Sequence, residues 1–181
     1  KFKQSGDILI THWGFSGPSI LKLSAFAARL LSQMKYDFTV KINWISKNEE
    51  ITRNDLKIFF NSNSMITNNI PFNIPKRLWE YLLNKNNICL QTVWSSLKIK
   101  QINKLVNCIV NDEYKVLGKT TFKEEFVTCG GIDLEDINMS EMQSKLHKNI
   151  YFAGEILNID AITGGFNFQA AWTTGYIAGT N

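Results

Sequence analysis

Cysteine is scarce, and its spacing is uninformative for metal or disulfide chemistry. Cys89, Cys108 and Cys129 are odd in number, lie far apart and form no CxxC. That pattern argues against a disulfide framework or a thiolate zinc site and fits a reducing, cytoplasmic setting. Histidine is scarcer still: His12 and His147 exclude a histidine-rich metal site. No apolar run approaches the roughly 18 residues a membrane span requires, and no signal-peptide pattern opens the chain, so no membrane partner is expected. A basic block is missing too. Twenty Lys and Arg against sixteen Asp and Glu leave a net charge of +4, with lysines spread among acids, so no nucleic-acid partner is expected. What remains is ordinary: 181 residues, 44% hydrophobic and 20% charged, enough for one domain or two small ones. The first residue is Lys1 rather than Met, and the chain reads as a piece of a longer protein.

The informative stretch lies near the C-terminus. Residues 150–153 (Ile-Tyr-Phe-Ala) form a short apolar run between Asn149 and Gly154, the pattern of a buried strand. Gly154 permits a tight turn, and Glu155 places a carboxylate at the strand's end, where open α/β sheets bind ligands. Gly164 and Gly165 supply a second bare turn before a helix that begins near Phe166. Ala171, Gly175 and Gly179 recur every four residues on that helix, a stripe suited to close packing. The helix N-terminus directs free N–H groups toward the Gly-Gly turn, where an acceptor gaining negative charge is stabilised. The reduced flavin ring is such an acceptor. A strand, turn and packed helix without a ligand is the competing reading of the same spacing.

Three blocks carry a family resemblance: Thr-His-Trp-Gly-Phe-Ser-Gly-Pro (residues 11–18), Val-Thr-Cys-Gly-Gly (127–131), and Tyr-Phe-Ala-Gly-Glu (151–155) with Thr-Gly-Gly-Phe-Asn (163–167). Together they resemble the YhiN/BaiN-like flavoproteins over essentially the whole chain. The resemblance implies an FAD-dependent, NAD(P)H-linked oxidoreductase working by hydride transfer on a small organic substrate. It also implies an α+β fold: a β-rich insert subdomain over residues 1–127, carrying an all-helical subdomain near 52–107. Residues 128–181 then supply the C-terminal strand–turn–helix of a discontinuous, Rossmann-like FAD-binding domain. No Gly-x-Gly-x-x-Gly seats a pyrophosphate here, and by resemblance it belongs to a missing N-terminal part of the FAD domain. The cofactor contacts expected of this chain are Ala153, Gly154, Glu155, Thr163, Gly164, Gly165, Phe166 and Asn167. No catalytic residue is assigned. A stand-alone binding or interaction domain that keeps the fold without redox activity is the alternative.

Taken in order, residues 7–12 read as a strand. A helix follows with Pro18 near its first position and Ile20, Leu21, Leu23, Ala27, Leu30 and Leu31 on a core-packed face. Ser16 reads as its cap; Pro18 rules out a nucleophile elbow, which needs glycine there. His12 is expected to fix the turn that follows it, before Pro18, with proton donation toward flavin or substrate as the functional alternative. Residues 37–45 alternate as a half-buried strand. Helices are expected from Thr52 (with Asp55 as capping partner), after Pro75, and over 91–107. Two strands follow at 114–117 and 121–128. Cys129 reads as a small buried residue rather than a reactive thiol. Met139 and Met142 are expected to pack.

Overall fold

The computed structural model describes residues 2–119 and 127–181; the expected strand at 121–128 falls largely outside them. The fold is α+β, with five α-helices and small two-stranded sheets among the described residues. Two compact units are present: Phe38–Val116, and the segments before and after it.

In the flanking unit, β1 (Leu9–Ile10) pairs antiparallel with β2 (Phe15–Ser16) and leads into α1 (Pro18–Gln33). The strand expected over 7–12 shrinks to two residues, and Leu9 and Ile10 are both more than half exposed. Pro18 stands in the first turn of α1, as its missing N–H permits. Gly17, not Ser16, occupies the cap position. Its φ is +100°, and a Cβ there would lie 2.9 Å from the Leu9 nitrogen, so only glycine closes this corner without displacement. Ser19 anchors the helix start by donating to the Asp7 carbonyl at 2.8 Å. The expected core face of α1 is largely open: only Ser19 and Ala27 are buried, and Leu30 is 44% exposed.

Further along, β5 (Ile137–Asn138) and β6 (Gln143–Ser144) form an antiparallel hairpin. It buries Met142 but leaves Met139 44% exposed. Ile137, Met142 and Leu157 centre a small core completed by Ile132, Phe152, Ile159, Ile177 and Ala178. The last element is α5 (Phe166–Thr180), which contributes Ile177 and Ala178 to it.

The other unit is built on β3 (Asp37–Ile42) paired with β4 (Asp112–Leu117). Along β3 exposure alternates residue by residue, with Phe38, Val40 and Ile42 facing inward, the period-two pattern of a half-buried strand. Between these strands lie α2 (Glu49–Leu56), α3 (Lys76–Lys85) and α4 (Ile99–Val110). Helix α2 starts three residues before Thr52, because the Asn48 side chain accepts from the Ile51 N–H at 2.8 Å and caps it. Thr52 is buried in its first turns and donates back to the Asn48 carbonyl at 2.7 Å. Pro75 precedes α3 as expected. The helix expected from residue 91 starts only at Ile99, because a 3-10 turn at Trp94–Ser96 and an extended Leu97 interrupt it. Strand-like geometry inside 52–107 is confined to one isolated bridge, Met65 to Val93. Leu56, Trp79, Leu82, Leu83, Trp94, Leu105 and Ile109 are almost fully buried and form the core of this unit.

Candidate functional site

The candidate site belongs to the flanking unit and begins with two chain segments brought edge to edge. The Ile132 N–H donates to the Ile156 carbonyl and the Asn158 N–H to the Ile132 carbonyl, both at 2.9 Å, a parallel bridge between 132 and 157. Gly131 makes the approach possible. Its φ is +132°, and a Cβ would stand 2.5 Å from the Ile156 carbonyl oxygen. The block at 127–131 thus lies directly beside the turn that carries Glu155.

The turn follows Gly154 as expected, but the strand expected ahead of it does not form. Residues 150–153 contribute one isolated bridge, Tyr151 to Gln143, and Ile150 is 45% exposed. An apolar run becomes a buried strand only with neighbours on both faces, and among the described residues it has one short partner. Ala153 is extended and enters a 3-10 turn at Gly154–Ile156. Gly154 has φ +76° and donates its N–H to the Thr174 hydroxyl at 3.0 Å, tying the turn to the middle of α5. Thr174 is buried, and its hydroxyl donates a hydrogen bond to the Ala170 carbonyl at 2.7 Å. Glu155 is exposed, and its carboxylate accepts from the Thr128 N–H at 3.1 Å, so it bridges two of the three sequence blocks.

The second turn lies at the start of α5. Gly164 has φ +128° and Gly165 has φ +93°, the left-handed region that glycine enters without a Cβ penalty. Space opens above Gly165: a Cβ there would meet nothing within 4 Å. The first backbone bond of α5 runs from Gln169 N–H to the Gly165 carbonyl, so the N–H groups of Phe166, Asn167 and Phe168 have no acceptor among the described residues. Thr163 is half-buried ahead of the turn. Phe166 is 57% exposed with its ring folded toward Gly164. Asn167 turns its side chain inward: its Oδ1 accepts from the Ala161 N–H at 2.8 Å and its Nδ2 donates to the Ala161 carbonyl at 2.9 Å.

The two glycine turns therefore meet the same helix at different heights. Gly154 faces Ala171 and Thr174, while Gly165 sits at the helix start, about 9–13 Å along the axis at 1.5 Å per residue. Glycines 175 and 179 do not serve close packing within this unit, since an added Cβ at either meets nothing within 4 Å. Phe168, Trp172 and Tyr176, 69–74% exposed, occupy successive turns beside them.

Several participants carry no sequence signal. Arg29 from α1 donates to Asn158 at 2.6 Å and lies 3.7 Å from the Asp160 carboxylate, beside a cleft of about 370 Å³ lined by Phe26 and Leu30. Asn158 in turn donates to Asp133 at 2.8 Å. Cys129 is exposed, not buried, and hydrogen bonding to Asp160 pushes its thiol up, away from the thiolate a nucleophile requires. His12 is exposed at the β1–β2 tip, its ring against Trp13. The turn it was expected to fix is held by Thr11, whose N–H and hydroxyl both donate to the Gly14 carbonyl at 2.9 and 3.0 Å. No cluster of three metal-ligating side chains occurs among the described residues, and no helix there is long and apolar enough to cross a membrane.

Several characterised proteins are similar to this chain in sequence. The chain is 26% identical to the ribosomal RNA dihydrouridine synthase of Escherichia coli (strain K12) over 94% of its length and 40% of the relative. It is 28% identical to the protein of the same name from Haemophilus influenzae, with the same shares of 94% and 40%. Against the 3-dehydro-bile acid delta(4,6)-reductase of Clostridium scindens it is 25% identical, over 98% of this chain and 44% of that one. It thus spans about two-fifths of these relatives. A family model for the HI0933-like protein barrel and H2TH domain matches residues 1–127, well over half the chain. The chain belongs to this HI0933-like family, the YhiN/BaiN-like flavoproteins that its three sequence blocks resemble.

Proposed function

We propose that this chain is part of an FAD-dependent, NAD(P)H-linked oxidoreductase that passes hydride through the flavin to a small organic substrate. The observation that carries the reading is the start of α5: three N–H groups with no acceptor among the described residues stand behind a turn that has no side chains. Such a donor set suits an edge that gains negative charge, and the helix dipole adds to it. Bound there, the flavin supplies the hydride acceptor and donor. Gly164 and Gly165 admit the ring to the backbone, and Phe166 and Asn167 present the donors. Asn167 also holds residues 160–165 in place through Ala161. Ala153 and Gly154 bring Glu155 to the rim, where the carboxylate keeps acceptor capacity beyond its bond to Thr128 for sugar hydroxyls. Thr163 completes the approach to the turn.

The partner proposed for this unit is the remainder of the FAD domain, and the setting proposed is the cytoplasm. The open aromatic row Phe168, Trp172 and Tyr176 with Gly175 and Gly179 is the face such a domain would cover. As to substrate, the relatives' names favour a second reading beside the small molecule: two of the three name ribosomal RNA, and "dihydro" and "reductase" alike describe adding hydrogen. The stand-alone binding domain predicts no flavin anywhere in the protein. The test is anaerobic spectroscopy of the longer gene product carrying this chain, beside residues 1–181 alone. The longer product should purify yellow and bleach with NADH or NADPH, while residues 1–181 should purify colourless. Stoichiometric FAD on residues 1–181 would refute the divided site, and a colourless longer product that FAD cannot reconstitute would refute the flavoenzyme.

A further inference from the structure

The charge of this chain is unevenly divided. Phe38–Val116 holds eleven Lys and Arg against six Asp and Glu, whereas the rest holds nine against ten. Within Phe38–Val116 the acids are mostly engaged. Asp55 pairs with Lys47 and Asp112 with Lys85, Glu113 pairs with Lys41, Glu80 lies 3.9 Å from Lys76, and Glu49 accepts from Asn111. The surplus cations are concentrated where the C-terminal half of α2 meets the N-terminal half of α4. Arg53 is fastened there by donating to the Asn103 side chain across the two helices. Lys57 follows one turn beyond Arg53, and Lys100 and Lys104 stand one turn apart on the exposed face of α4, with Lys98 at its start. None of these five has an acidic partner among the described residues. The N-terminal end of the α4 dipole adds to the same positive field.

We propose that this α2–α4 face docks the phosphate backbone of structured RNA. Lysines neutralised by nearby acids cannot release counterions from a polyanion; these can, and Arg53 is held in position by its neutral partner Asn103. Arg53 and Asn103, which could read base edges, are bonded to each other. The face would position an RNA whose specificity comes from elsewhere. The inference uses the RNA reading of the substrate only in choosing RNA over other polyanions. Binding is measured without flavin or reductant, so failure here and failure of the redox reading are separable.

The test is fluorescence anisotropy of a fluorescein-labelled ribosomal RNA hairpin with residues 1–181 across a salt series. The pair Lys100→Glu with Lys104→Glu is compared with Lys3→Glu with Lys148→Glu, the same charge change on exposed lysines of the other unit. The α4 pair should weaken low-salt binding at least about tenfold and lower the salt slope by about two, while the control pair stays within about twofold. Circular dichroism melts confirm that both variants are folded. Equal loss in both pairs, no binding by the parent chain, or equal affinity for a DNA duplex of the same sequence would overturn the assignment.

Discussion

Asn167 and Ala161 hold each other through both halves of one amide, the Asn167 side chain accepting from the Ala161 N–H and donating to its carbonyl. One residue in the first turn of α5 thereby anchors the loop that leads into its own helix. Replacing it with Ala leaves a half-buried N–H and C=O to find water, a cost of about 1–2 kcal/mol. Asn167→Asp keeps the acceptor but faces the carbonyl with a charge, so it should not rescue. Urea denaturation should show both variants destabilised, and in the longer protein FAD affinity should fall with them.

Glu155 is bonded to Thr128, and this separates two roles that a single alanine variant would merge. Glu155→Gln retains an oxygen for the Thr128 N–H but loses the charge. Glu155→Ala loses both. If the carboxylate accepts from sugar hydroxyls, Glu155→Ala should weaken FAD binding by about 1–3 kcal/mol and Glu155→Gln by much less. Isothermal titration of FAD into the longer protein measures both. Equal affinity for all three forms would mean that the side chain serves the 127–131 loop alone.

How far these contacts were legible in the sequence depends on the kind of signal. The β3 alternation and the proline before α3 are local patterns with a direct physical cause, and both appear where expected. Residues 150–153 mislead because an apolar run reports a preference for burial and not the presence of something to bury against. The start of α2 lies ahead of Thr52 because Asn48 competes with Thr52 as a cap, and only the geometry shows which side chain reaches an N–H. The Asn167–Ala161 clamp, the Glu155–Thr128 bond and the Arg29–Asn158 bond have no periodicity at all. They join residues that only the folded chain makes neighbours.

Asp112 offers a test of stability against pH. It is almost fully buried and accepts from Trp44 Nε1 at 3.0 Å, Lys85 Nζ at 2.5 Å and the Tyr114 hydroxyl at 2.5 Å. Burial alone would lower the Lys85 pKa, but its hydrogen bond and attraction to Asp112 outweigh that and raise it. Burial, then the bond to Asp112, pushes the Tyr114 phenol far up. Both groups are protonated more firmly folded than unfolded. Their contribution is therefore complete below the ordinary lysine and tyrosine values near 10 and is lost as pH rises beyond them. Asp112→Asn should cost about 3 kcal/mol, the low end for a broken buried pair because Lys85 keeps a third of its side chain in water. Urea melts at neutral and strongly alkaline pH should show the difference between parent and variant shrinking in alkali. A pH-independent difference would refute the linkage.

Gly165 is where the flavin assignment is most exposed to test. At φ +93° a valine is strained whatever space surrounds it, so a loss of FAD binding in Gly165→Val alone would not separate strain from a blocked ring. Gly165→Asn supplies the separation. Asparagine tolerates the left-handed region, and no atom of this chain lies within 4 Å of the position its Cβ would take. It should leave the fold of the longer protein near parent stability. A flavin edge resting on this turn would still collide with the new side chain. The expected result is that Gly165→Asn melts within about 1 kcal/mol of parent, the scale of a glycine replacement at a compatible angle, yet loses FAD affinity or shifts the flavin reduction potential. The same stability with unaltered FAD affinity and potential would place the flavin's edge away from Gly165 and leave the free N–H groups of α5 to another acceptor.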